Sequence, residues 1–103
     1  MIHVSTTCPD LDTARSLAQA ALAERLAACA NITPGILSLF HWQDDISEDE
    51  EVQITFKTTE AARAELVKLI EIEHPYELPV ITWETVGATR EAEDWLAWET
   101  RRP

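Results

Sequence analysis

The hydrophobic residues of this chain change their spacing in a fixed order, and that order restricts the fold more than any other feature. Ile2, Val4 and Thr6 alternate with His3, Ser5 and Thr7, the period of two of a half-buried strand. Cys8-Pro9-Asp10 breaks the alternation, and Asp10 is placed to cap a helix. From Leu11 to Ala28 the chain is rich in Ala, Leu, Glu and Arg, with Leu11, Ala14, Leu17, Ala18, Ala21, Leu22 and Leu26 on one face. After a turn at Pro34-Gly35, Ile36 to Trp42 and Ile46 to Lys57 read as the arms of a long hairpin turning near Asp44-Asp45. Helical spacing returns from Glu60 to Glu73 and stops at His74-Pro75, because the residue before proline is pushed out of the α region. Val80 to Val86 forms a last strand ending at Gly87, and Arg90 to Arg101 a terminal helix with Trp95 and Trp98 on adjacent turns. The order β-α-β-β-α-β plus a C-terminal helix predicts an α+β, ferredoxin-like domain with two helices on one face of a four-stranded antiparallel sheet. At 103 residues and 46% hydrophobic, the chain is one domain, 1–103, able to bury a core.

Charge narrows the function. Nineteen acidic residues face eight basic ones, a net charge of −11, with no Lys/Arg cluster to meet a phosphate backbone, so nucleic acid is excluded as a partner. No apolar run reaches the roughly 20 residues of a membrane span, and the opening residues carry no secretory pattern. Two cysteines, Cys8 and Cys29, outside any C-x-x-C pair, suit free thiols, and a cytoplasmic protein is expected. Two glycines cannot supply a phosphate loop or a nucleophile elbow, and no H-x-x-x-H pair offers a zinc site. No enzymatic activity is expected.

Three features remain. Leu37 and Leu39 fall on the side of their strand opposite Ile36, Phe40 and Trp42, which places them on the open face of the sheet and calls for a second copy to cover them. Asp44, Asp45, Glu48, Asp49, Glu50 and Glu51 crowd the hairpin, a solvated tip or a weak divalent-cation binder. In His74-Pro75-Tyr76-Glu77-Leu78-Pro79 two prolines stiffen a loop bearing an imidazole, a phenol and a carboxylate, which either line a ligand pocket, complete a metal site, or cap the helix and close an interface. Arg25, expected to project from the apolar helix face, and Lys57 supply positive charge. With Cys29 and Tyr76 they would form a pocket for an anionic small molecule.

Arg25-Leu26-Ala27-Ala28-Cys29-Ala30-Asn31-Ile32, then Pro34-Gly35, Ser38, Trp42, Ile46, Glu51, Lys57-Thr58 and His74-Pro75-Tyr76-Glu77-x-Pro79, taken in order, resemble the CutA family of divalent-cation tolerance proteins across nearly the whole chain. The resemblance implies a cytoplasmic homotrimer of ferredoxin-like subunits, similar in architecture to PII-like signalling trimers, with Leu37, Leu39 and Trp42 at the interface. It also implies non-enzymatic, weak binding of Cu(II) or another divalent cation by His74 with Glu77 and Cys8. Cys8 lies two residues beyond Thr6, the position matching the family's cysteine. The alternative is a PII-like sensor binding an anionic ligand between subunits through Arg25 and Lys57.

Overall fold

The computed structural model describes residues 1–101. Its elements are β1 (Ile2–Cys8), α1 (Leu11–Ala23), β2 (Cys29–Trp42), β3 (Asp45–Thr58), α2 (Glu60–Glu73), β4 (Thr82–Thr85) and α3 (Arg90–Arg101). All strand pairs are antiparallel, in the order β2-β3-β1-β4, the arrangement expected of a ferredoxin-like α+β domain. Val4, Ile54 and Phe56 are fully buried, and with Ile2, Cys8 and Val52 they form the sheet's inner face. Ala14, Leu17, Ala18 and Ala21 of α1 and Leu66 and Ile70 of α2 close that core from the helix side. The other face of β1 and β3 is polar. There Ser5 and Thr55 share a hydrogen bond of 3.0 Å, and His3 pairs with Lys57 in register.

The side chains that start the helices are local. Asp10 accepts from the Thr13 N–H at 2.7 Å and Thr59 from the Ala62 N–H at 3.2 Å. The end of α1 departs from the expected run to Ala28. Arg25 adopts φ 57°, the Leu26 N–H bonds to the Ala21 carbonyl, and the Arg25 N–H bonds to that of Leu22. This is a Schellman closure with arginine in the left-handed position usually held by glycine. It turns the chain so that the Ala28 N–H meets the Lys57 carbonyl, and β2 begins at Cys29 rather than after Pro34-Gly35. Arg25 therefore does not project from the apolar face. Its guanidinium reaches Glu99 of α3 at 3.2 Å.

Pro34-Gly35 is not a turn but a bulge inside β2. Thr33 pairs with Gln53 and Ile36 with Glu51, so two residues of β2 oppose one of β3, and Gly35 takes φ +81°. The extra residue reverses which residues share a side. Leu37 and Leu39 now oppose Glu50 and Glu48, and strand alternation carries these to the side of Val52 and Ile54, not to the open face. The hairpin outruns the helices, so Leu37 and Leu39 stay 64% and 61% exposed all the same. The turn itself is Gln43-Asp44, one residue earlier than expected, with φ 51° and 65°, the paired positive angles of a tight two-residue hairpin. β4 is shorter than expected. Beyond its end at Thr82, the Val80 carbonyl bonds to the Thr6 hydroxyl at 2.8 Å instead of extending the ladder.

Candidate functional site

β1 stops at Cys8, opposite Val52, while β2 and β3 run on past it. The loop from His74 to Ile81 crosses this step on its way from α2 to β4. His74, 6% exposed, anchors the loop with both ring nitrogens. Nε2 lies 2.9 Å from the Thr7 carbonyl, which can only accept, so Nε2 carries the proton and donates. Nδ1 then accepts from the Tyr76 N–H at 3.2 Å. The two rings lie 4.7 Å apart.

Tyr76 extends to β3 and donates its hydroxyl to Glu51 Oε2 at 2.7 Å. Glu51 is only 7% exposed, although it closes the acidic run that reads as solvated hairpin. Burial pushes its carboxyl up, but hydrogen bonds from Tyr76, Ser38 and Thr7, with His74 nearby, outweigh burial and hold it below the usual range. Burial, then the bond to Glu51 and its charge, push the Tyr76 phenol up, so it remains a donor. Burial first, then the charges of Glu51 and Asp10, raise Cys8 to about 11, which keeps it a thiol in the core.

The loop and the projecting hairpin enclose a hollow of about 590 Å³. Thr7, Ser38 and Ser47 line it with hydroxyls, Phe40, Trp42 and Tyr76 with aromatic rings, and Asp49, Glu51 and Glu77 with carboxylates. Among the described residues no lysine or arginine lines it.

The expected groupings assemble only in part. Tyr76 and Glu77 of the loop share the hollow with Leu39 and Trp42. His74, Cys8 and Glu77 do not form a metal cage. Among the described residues no three His, Cys, Asp or Glu side chains come together to hold an ion. Cys8 fails because it is buried as a thiol, and both nitrogens of His74 are already bonded. The anion pocket does not assemble within one chain either. Cys29 and Lys57 are cross-strand partners, but Lys57 lies six residues along β3 from the Tyr76 contact, roughly 20 Å at about 3.3 Å per residue. Arg25 is engaged with Glu99, so one chain does not bring Arg25, Cys29, Lys57 and Tyr76 together. Glu51 enters the sequence reading only within the acidic run and among the residues that carry the resemblance, not as a partner of the 74–79 loop. A further signal is its place directly before the alternating Val52-Ile54-Phe56 run.

The sequence profile described as CutA1 divalent ion tolerance protein matches residues 2–101. The divalent-cation tolerance protein CutA of Thermus thermophilus is 39% identical over 94 residues, 90% of this chain and 91% of its own. The crystal structure of CutA1 from Pyrococcus horikoshii superposes with a TM-score of 0.93 at 36% identity, covering 99% of this chain and 100% of its own. The periplasmic divalent cation tolerance protein CutA from Archaeoglobus fulgidus superposes with a TM-score of 0.93 at 30% identity, covering 98% and 100%.

Proposed function

From the premise that the chain belongs to the CutA1 family of divalent ion tolerance proteins, we propose that it serves tolerance of divalent metal ions as a non-enzymatic, cytoplasmic homotrimer that captures Cu(II) or a related cation weakly. The family match over residues 2–101 carries the reading. The electrostatics agree with it: a chain of net charge −11, whose hollow beside the 74–81 loop carries carboxylates and, among the described residues, no lysine or arginine, attracts cations and repels anionic metabolites. No helix among the described residues is long and apolar enough to cross a membrane. A weak, exchangeable site also fits the chemistry. The lone pair of His74 sits on Nδ1, where a metal ion must displace the Tyr76 N–H, and Glu77 is the neighbouring carboxylate. Imidazole suits copper, and Cu(II) binds most tightly among the divalent first-row ions.

Calorimetric titration with Cu(II), Zn(II), nucleotides and di-carboxylates tests the reading. The expected result is binding of Cu(II) more tightly than Zn(II) and no heat from the anions, with Cu(II) affinity reduced in His74→Ala. Nucleotide binding in the absence of any Cu(II) response would overturn it.

A further inference from the structure

His74 holds the 74–81 loop through contacts that all run within one chain. Its Nε2–H donates to the Thr7 carbonyl at 2.9 Å, and the ring is buried, so the sheet fixes the imidazole in place. A metal-ligating imidazole ordinarily has its other nitrogen held in this way, by a carbonyl or a carboxylate. The nitrogen that would bind is Nδ1, and the Tyr76 N–H occupies its lone pair at 3.2 Å. A first-row metal ion binds imidazole through that same lone pair, at about 2 Å. The amide and the ion therefore exclude one another.

The Tyr76 amide does not leave by itself. Pro75 stands between the two residues and locks its own φ at about −65°, which ties the Tyr76 backbone to the His74 ring. At the far end of the same residue, the hydroxyl donates to Glu51 Oε2 on β3 at 2.7 Å, a short bond to a carboxylate. The other end of the loop is pinned as well, by the Thr6 hydroxyl on the Val80 carbonyl at 2.8 Å. From this arrangement we propose that the 74–81 loop is a latch over the His74 lone pair, held shut by the bond between Tyr76 and Glu51. Shut, the Tyr76 N–H takes Nδ1. Open, the tyrosine is released and Nδ1 is available to a divalent cation. The inference rests on the proposed capture of a cation by His74 and adds what regulates it. A ligand that binds only the open state has its affinity reduced by the fraction of chains that are open. The Tyr76–Glu51 bond thus weakens cation binding without touching the ion, and by reciprocity the cation loosens the tyrosine.

Tyr76 is the only tyrosine of the chain, so tyrosine labelled with 15N on the amide and 13C at Cζ gives one NMR signal for each end of the latch. Zn(II), a diamagnetic d10 ion, is titrated into the labelled protein, and calorimetry compares Cu(II) and Zn(II) binding by wild type and Tyr76→Phe. The expected result is a shift of both labels as Zn(II) binds, with cation affinity in Tyr76→Phe at least about fivefold above wild type. Adding His74→Ala to Tyr76→Phe should abolish that gain. Circular dichroism and molecular mass check the fold and assembly of the variants, and the labels in the wild-type protein decide the matter should Tyr76→Phe not fold. Cation binding that leaves both labels unmoved, or binding by Tyr76→Phe no tighter than wild type, overturns the latch and leaves the metal reading standing. A gain that survives His74→Ala also overturns it, because another group would then hold the ion. Absence of cation binding in both proteins removes the metal reading and the latch with it.

Discussion

At the scale of single residues, the pair Tyr76 and Glu51 ties the loop to the sheet and sets a pH dependence. Glu51 is held below its ordinary value in the folded state, so the stability it contributes is complete above the unfolded-state carboxylate range. That contribution is lost as pH falls through the lower folded value. Tyr76→Phe removes the 2.7 Å donor and leaves a buried oxygen short of a partner. The variant is expected to lose about 1–2 kcal/mol at pH 7. The two proteins should converge only as pH falls beneath the ordinary carboxylate range and through that lower folded value, because a protonated carboxyl no longer rewards the missing donor. Urea midpoints measured from pH 3 to 7 check this, and a constant gap across the range contradicts the assignment. His74 belongs to the same scale. Its two hydrogen bonds explain why an imidazole sits at 6% exposure in a chain whose other polar groups are largely wet.

At the scale of elements, one extra residue in β2 decides how the hairpin presents itself. Gly35 has φ +81°, and a side chain there would meet nothing within 4 Å, so any penalty for Gly35→Ala comes from the backbone alone. The left-handed region costs an L-residue about 1–2 kcal/mol, and a fall in the urea midpoint of that size is expected. Gly87, which has equally open space and no positive φ, serves as the control, and Gly87→Ala should be close to neutral. Equal effects at both positions would show that the bulge does not demand the glycine. Because the bulge reverses the faces, Ser38, Phe40 and Trp42 come to lie beside Glu51, and the hollow depends on it.

At the scale of the whole molecule, the sheet has two free edges, β2 and β4, and the hairpin leaves Leu37 and Leu39 more than half exposed. Such an edge invites pairing with another chain. Sedimentation or light scattering at micromolar concentration is expected to return about three times the 11.6 kDa chain mass, with thermal stability that rises with concentration. Leu37→Glu, harmless to an isolated chain, should dissociate the assembly, since a charge buried at an interface has no partner there. A wild-type monomer under these conditions would remove the trimer from the proposed function.

The order of elements, the span of α2 from Glu60 to Glu73, and the inward set Val52, Ile54 and Phe56 follow from residue spacing, because periodicity and capping act within a few residues along the chain. Tertiary structure decided the rest. Leu11 to Ala28 is helix-favouring throughout, yet α1 stops at Ala23 because the chain must turn to give the Ala28 N–H to Lys57. The bulge at Pro34-Gly35 is a mismatch of register between two strands, which neither strand encodes alone. Glu51 looks like one more solvated acid until a loop 25 residues away in sequence places the Tyr76 hydroxyl on it. Burial of a charge depends on what crosses it in space, and local pattern carries no record of that.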